Sequence, residues 1–193
     1  MSENFHGNRR VVAALDRMVE SGRLPQAILL AGPEGVGKAT LARRLAARLL
    51  GRRERIELDD LSLPANTAVI EEREKLPAEK RAEEPLFFAS HPDFVTFPPD
   101  GPLRQITIQQ MRLLRNRAQF KPQKGARRVF LIDHLDRANE QAANSLLKTL
   151  EEPPGHLTLV LTAGNAHDLL PTIRSRAVPF YLSPLDPEDM RRF

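Results

Sequence analysis

The sequence predicts an α/β domain in which a parallel sheet is covered by helices on both faces. Three observations carry that expectation. Short apolar runs alternate with stretches of helical periodicity along most of the chain. A glycine-rich loop joins the first of these runs to the helix after it. A later apolar run ends in an aspartate. The 193 residues suit one such domain, and 41% apolar residues suffice for its core. With 9 Phe, 1 Tyr and no Trp, that core is built mainly from Leu, Val, Ile and Ala.

In chain order, Val11, Val12, Leu15, Met18 and Val19 make a helical stripe between Asn8 and Glu20, ended by Ser21-Gly22. QAILLA (26–31) reads as a buried strand. Gly32 to Gly37 is a loop. Lys38 to Leu50 is a helix with Leu41, Leu45 and Leu49 on one side, stopped by Gly51. Residues 52–85 differ from the rest. Half of them are charged, and Pro64, Pro77 and Pro85 interrupt any long element, so they read as a loop with a frayed helix and little core potential. DFVTF (93–97) is a strand. Thr107 caps a helix carrying Ile108, Met111, Leu113 and Leu114, closed by Lys121-Pro122. RVFLID (128–133) is a buried strand. Asn139 caps a helix through Glu152, stopped by Pro153-Pro154-Gly155. TLVLT (158–162) is a strand, Leu169 to Arg174 a short helix or turn, and VPFYL (178–182) a last strand.

Composition excludes several chemistries. There is no cysteine, hence no disulfide, no thiolate catalysis and no Cys-ligated zinc. The five histidines, His6, His91, His134, His156 and His167, have no metal-ligand spacing. No apolar run is long enough to span a bilayer and no leader pattern opens the chain, so it reads as a soluble, cytoplasmic protein without membrane partners. The net charge of +4 is uneven. Residues 52–85 hold 7 basic and 10 acidic side chains, a net −3, which leaves +7 on the remainder. A basic body suits nucleic acid. Arginine-rich composition alone explains it too, since 23 of the 29 basic residues are Arg.

Gly32-Pro33-Glu34-Gly35-Val36-Gly37-Lys38 matches G-x-x-x-x-G-K between an apolar strand and an amphipathic helix. Glycines let the backbone close around phosphate oxygens, successive N–H groups turn inward, and the next helix presents its positive end. Lys38 adds a point charge at the β- and γ-phosphates. The next position, which holds a magnesium-ligating hydroxyl in such loops, is Ala39. Thr40 follows, but one residue turns a helical side chain by about 100°. The expected ligand is therefore ATP or ADP, with magnesium held weakly if at all.

Val129 to Asp133 is an apolar strand ending in an acid suited to a nucleotide-bound metal. A hydrolysing site needs a carboxylate beside it, and here His134 follows. Histidine is a base in principle, and Asp136 lies three residues on. Ala39 and His134, on opposite sides of one metal position, together predict lost hydrolysis.

DHLDRANEQAANSLLKTLEEPP (133–154), LLPTIRSRA (169–177), GRLPQAILLAGPEGVGK (22–38) and HPDF (91–94) resemble the bacterial clamp-loader family of AAA+ proteins. The resemblance spans nearly the whole chain outside 52–85. It implies a P-loop NTPase core with a five-stranded parallel sheet over residues 1–185. Residues 186–193 would begin the linker to a helical lid and a collar. It also implies a hetero-pentamer with other loader subunits, acting on a sliding clamp and primed DNA within the DNA polymerase III holoenzyme. The family's S-R-C motif offers an arginine finger to a neighbour's ATP. Ser175-Arg176-Ala177 matches its first two positions, so Arg176 inherits the role and Arg174 stands second. Thr162 matches a polar sensor position at a strand end. Family members carry four zinc-binding cysteines after the P-loop helix. The charged insert 52–85 replaces them, so no zinc is expected. Arg112, Arg115, Arg117, Arg127 and Arg128 are candidates for phosphate contacts in a DNA-tracking ring, or form a solvated face.

The combined reading is a hydrolysis-deficient loader subunit. An active motor subunit of the same machine accounts for the loop and Asp133 but not for Ala39 and His134. An unrelated P-loop kinase leaves LLKTLEEPP and TIRSR unexplained.

Overall fold

A computed structural model describes Phe5 and residues 7–184; His6 and the expected linker at 186–193 lie outside the described residues. The strands are β1 (Ala27–Ala31), β2 (Phe88–His91), β3 (Phe94–Phe97), β4 (Arg128–Ile132), β5 (Leu157–Ala163) and β6 (Val178–Tyr181). The helices are α1 (Arg9–Glu20), α2 (Lys38–Leu50), α3 (Arg53–Ile56), α4 (Pro64–Lys75), α5 (Ala78–Glu83), α6 (Ile108–Ala118), α7 (Glu140–Glu151) and α8 (Pro171–Arg174).

One sheet runs in the order β2-β3-β4-β5-β1-β6. Five strands, β3 through β6 in that order, are parallel. The expected five-stranded parallel sheet is present, and β2 adds a sixth strand, antiparallel to β3. The sequence hid β2 because Phe-Ala-Ser-His has no alternating pattern, and only His91 in it is buried.

Side chains alternate across each strand, so the sheet divides the core in two. Leu29, Phe97, Phe130, Ile132, Leu159 and Leu161 face α6 and α7. Ile28, Leu30, Phe94, Leu131 and Val160 face α1 and α2, where Leu15, Leu41 and Leu45 meet them. Phe97 and Phe130 pack edge to face, with centroids 6.0 Å apart. Such a pair adds about 0.5–1.5 kcal/mol to its burial.

Two helix starts follow local rules. Thr107 and Gln110 form a reciprocal capping box on α6. The Asn139 side chain accepts from Ala142 N at 2.9 Å on α7. Helix α6 ends at Ala118, before the Lys121-Pro122 stop. Helix α7 ends at Glu151, one residue early.

The insert departs from expectation. Residues 52–85 are not a loop but α3, a 3-10 turn (Glu57–Asp59), α4 and α5. Pro64 occupies the first turn of α4, where a missing N–H costs nothing. The Asn66 amide donates to Leu58 O (2.8 Å) and Asp60 O (2.7 Å), and Thr67 donates to Leu61 O, bracing the approach. Ile56 and Ile70 are buried. Arginine ion pairs dock the segment. Arg73 grips Asp100 through Nη2 and Nε, at 2.6 and 3.2 Å. Arg43 of α2 bridges Glu57 (2.9 Å) and Asp60.

Candidate phosphate-binding site

The loop leaves β1 at Gly32 and enters α2 at Lys38. Gly32 is needed because a Cβ there would lie 2.3 Å from Leu182 O. Gly35 (φ 80) and Gly37 (φ 89) hold left-handed conformations that other residues adopt only under strain. Gly37 is the N-cap of α2 and has no side chain to cap it, so the first-turn N–H groups of a 13-residue helix face the groove without a side-chain acceptor at the cap. Lys38, 6% exposed, donates from Nζ to Gly32 O and Pro33 O, 2.7 Å each. Burial pushes its ammonium below the ordinary value, while Asp133, Asp136 and Glu34 pull it back up.

Asp133 closes β4 from the opposite side. Its Oδ1 accepts from Thr162 Oγ1 at 2.6 Å, and the same hydroxyl accepts from His134 N at 2.8 Å. Thr162, at the matched position on β5, thus orients Asp133 without lining the groove. His134 sits at φ 56 with Nδ1 4.0 Å from Asp136 Oδ1. Asp136 Oδ2 is fixed by Gly164 N at 2.9 Å.

A groove of about 250 Å³ runs between the two elements. Glu34, Gly35, Gly37, Lys38, Ala39 and Thr40 line one side, Asp133 and His134 the other. Of the remaining loop residues, Pro33 contributes its carbonyl to Lys38 and Val36 packs on the core beneath. The sequence did not indicate three further lining residues, Arg43, Asp60 and Ser62. Arg43 was visible as the residue one helical turn after Ala39. Asp60 and Ser62 come from the insert, and no local signal places them.

The donor set suits phosphate better than magnesium. Backbone N–H groups, the helix start and Lys38 match an anion. Ala39 offers no oxygen. Asp60 already accepts from Arg43 and from Ser62 N and Oγ. One Asp133 oxygen is committed to Thr162.

Arg176 lies away from the groove, exposed, with Nη1 donating to Thr172 O and Nη2 paired to Glu151, both at 2.9 Å. Arg174 bonds to His167 Nδ1 at 2.8 Å. Among the basic residues of α6 and β4, two serve the fold. Arg117 stacks 4.2 Å over Phe87, and buried Arg128 donates to Arg117 O and pairs with Asp93. Arg112 is exposed.

No helix among the described residues is long and apolar enough to cross a membrane. A family model described as "DNA polymerase III, delta subunit" matches residues 7–186. The chain is 36% identical over 152 residues to the DNA polymerase III subunit delta-prime of Pseudomonas aeruginosa, covering 79% of this chain and 41% of that one. It is 31% identical over 188 residues to the subunit gamma of Buchnera aphidicola, covering 97% and 46%. The chain thus spans less than half the length of these curated relatives. Among solved structures, a DNA polymerase III gamma subunit-related protein of Thermotoga maritima aligns with a TM-score of 0.53 and 25% identity, over 92% of this chain and 48% of that one. The RuvB Holliday junction branch migration motor of Thermotoga maritima aligns at 0.54 and 20% identity over 93% and 45%, a likeness of fold alone.

Proposed function

The chain belongs to the DNA polymerase III delta subunit family, and from that membership we propose that it is a clamp-loader subunit that holds nucleotide without turning it over. Its partners are the other loader subunits, a hetero-pentamer in the full-length form, together with the sliding clamp and primed DNA. Its place is the cytoplasm, where replication proceeds. The observation that carries the proposal is an intact phosphate cradle facing an incomplete catalytic side. The loop, its glycine conformations and Lys38 suit ATP or ADP. Ala39 withholds the metal hydroxyl, and His134, turned toward Asp136, stands where hydrolysis needs a carboxylate.

The chemistry the chain contributes is Arg176, offered to ATP on a neighbour, with Arg174 second. Its pairing with Glu151 supports availability. Both side chains are substantially exposed, and such a surface pair is worth no more than about 1 kcal/mol, so it exchanges readily for a phosphate. An arginine finger contributes roughly 10³–10⁵ in rate to phosphoryl transfer.

The test is a thermal shift with ATP and a phosphate-release assay on the same protein. Nucleotide at a hundred times its Kd stabilises by about 2.7 kcal/mol, and Lys38→Ala removes the shift. Phosphate release stays at background. Turnover that disappears in Lys38→Ala overturns the proposal in favour of an active motor subunit, the reading that the retained Asp133–Thr162 pair favours. For the finger, full-length Arg176→Ala is assembled with the other loader subunits. Undiminished clamp-stimulated ATPase rejects it.

A further inference from the structure

Beside the phosphate groove lies a second cavity of about 340 Å³, whose walls include Leu61 and Ile70 of the insert. The two spaces adjoin, with Glu34, Ser62, Asp133 and His134 lining both. Two arginines reach the second cavity, Arg104 and Arg137. Arg104 is spoken for by Glu74, at 2.6 Å. Arg137 is not. Among the described residues its guanidinium makes no hydrogen bond and no ion pair, although its backbone is pinned: Arg137 N donates to His134 O at 2.9 Å and Arg137 O accepts from Ile106 N at 3.2 Å. The turn that carries it, Leu135–Arg137, is further held by Asp136 on Gly164 N. A fixed backbone therefore presents an uncommitted cation in the lining of a space that shares four lining residues with the phosphate groove.

We propose that Arg137 binds the terminal phosphate of a nucleotide held by Lys38 and so sets a preference for ATP over ADP. This rests on the nucleotide-binding reading above. In a loop of this kind the backbone cradles the α- and β-phosphates and the lysine reaches the β and γ. What extends beyond Lys38 toward Asp133 is the terminal group, and Asp133 also lines the second cavity. Glu34, Asp133 and nearby Asp136 make that end acidic, and Ala39 lacks the hydroxyl that would help hold a metal to offset a γ-phosphate. The charge of the third phosphate then falls to a side chain, and Arg137 is the uncommitted one in the cavity. A guanidinium matches a phosphate with two parallel N–H donors. ADP ends before it.

The experiment measures ATP and ADP affinities for the chain by competition against a fluorescent ADP, with the β,γ-imido analogue of ATP as a control against turnover. Wild type binds ATP more tightly than ADP. Arg137→Ala weakens ATP by roughly ten- to a hundredfold, the range of a charge-assisted hydrogen bond, and leaves ADP unchanged. Arg137→Lys restores part of the difference. Arg112→Ala, which removes the same charge from an exposed helix face outside the cavity, changes neither affinity. Equal ATP and ADP affinity in wild type, or equal losses for both in Arg137→Ala, overturns the proposal. So does an Arg137→Ala protein that discriminates as well as wild type, which would leave the cavity to a macromolecular partner. Failure of wild type to bind either nucleotide overturns the nucleotide-binding reading itself, before any variant is compared.

Discussion

His91 has 2% of its surface exposed and uses Nδ1 to accept the N–H of Asp93 at 3.1 Å. That bond requires an unprotonated nitrogen. Burial pushes the imidazole below its ordinary value of 6.5, and Arg52 adds to the push while Asp93, Asp59 and Glu54 oppose it. The folded value is thus lower than the unfolded one, and the folded state binds fewer protons between the two. The stability His91 confers is fully present above about 6.5 and is lost as pH falls through the folded value. Asp59, also fully buried, shifts upward through burial against the hydrogen bond from Ser90, so its contribution is lost as pH rises from its ordinary range. The two slopes oppose each other, and a difference measurement separates them. His91→Asn keeps an acceptor for Asp93 N and removes the titration. The gap in urea midpoint between wild type and His91→Asn should change steadily between pH 7 and pH 5, against the wild type. A constant gap would mean that His91 does not titrate in that window.

At the scale of elements, the insert is held by ions rather than by an apolar stripe. Asp100 is 5% exposed, and its carboxylate is met by Arg73, 27 residues earlier. Removing one partner of a buried pair strands the other, at about 3–5 kcal/mol. Arg73→Ala should therefore cost on that order in urea unfolding and expose residues 52–85 to proteolysis. Arg73→Met combined with Asp100→Asn should cost less, because no charge is left buried alone. A loss under 0.5 kcal/mol in Arg73→Ala would show that the pair does not hold the insert. The same physics explains why this segment was not legible. In the sequence its charges read as solvated, since Ile56 and Ile70 are too few to make a periodic stripe and Arg73, Arg43, Asp59 and Asp60 find their partners only through the fold. Helices α6 and α7 were legible because Thr107, Gln110 and Asn139 act within one turn. The cradle was legible for the same reason, being local from Gly32 to Lys38. Asp60, Ser62 and Arg137 were not, because different elements bring them to one end of the sheet.

Across the whole molecule, the parallel sheet belongs to both halves of the core at once. On β5, Leu159 and Leu161 enter one half and Val160 the other, so neither half can lose its packing without disturbing the strand that serves both. The strand runs were readable because strands buried on two faces become continuous apolar stretches. Their order was not, since register and neighbours are set by long-range pairing. That shared sheet predicts a single cooperative unit. Leu161→Ala opens a cavity in the half under α6 and α7, and Leu45→Ala opens one in the half under α1 and α2; both leucines are fully buried. Each should cost about 2–5 kcal/mol, and each should shift one urea transition while leaving its slope unchanged. Circular dichroism and amide exchange from either face should report the same midpoint. If Leu45→Ala instead splits the transition, melting α1 and α2 while β4 and β5 stay protected, the two halves fold separately. The phosphate loop, which leads from the sheet into α2, would then ride on the weaker half.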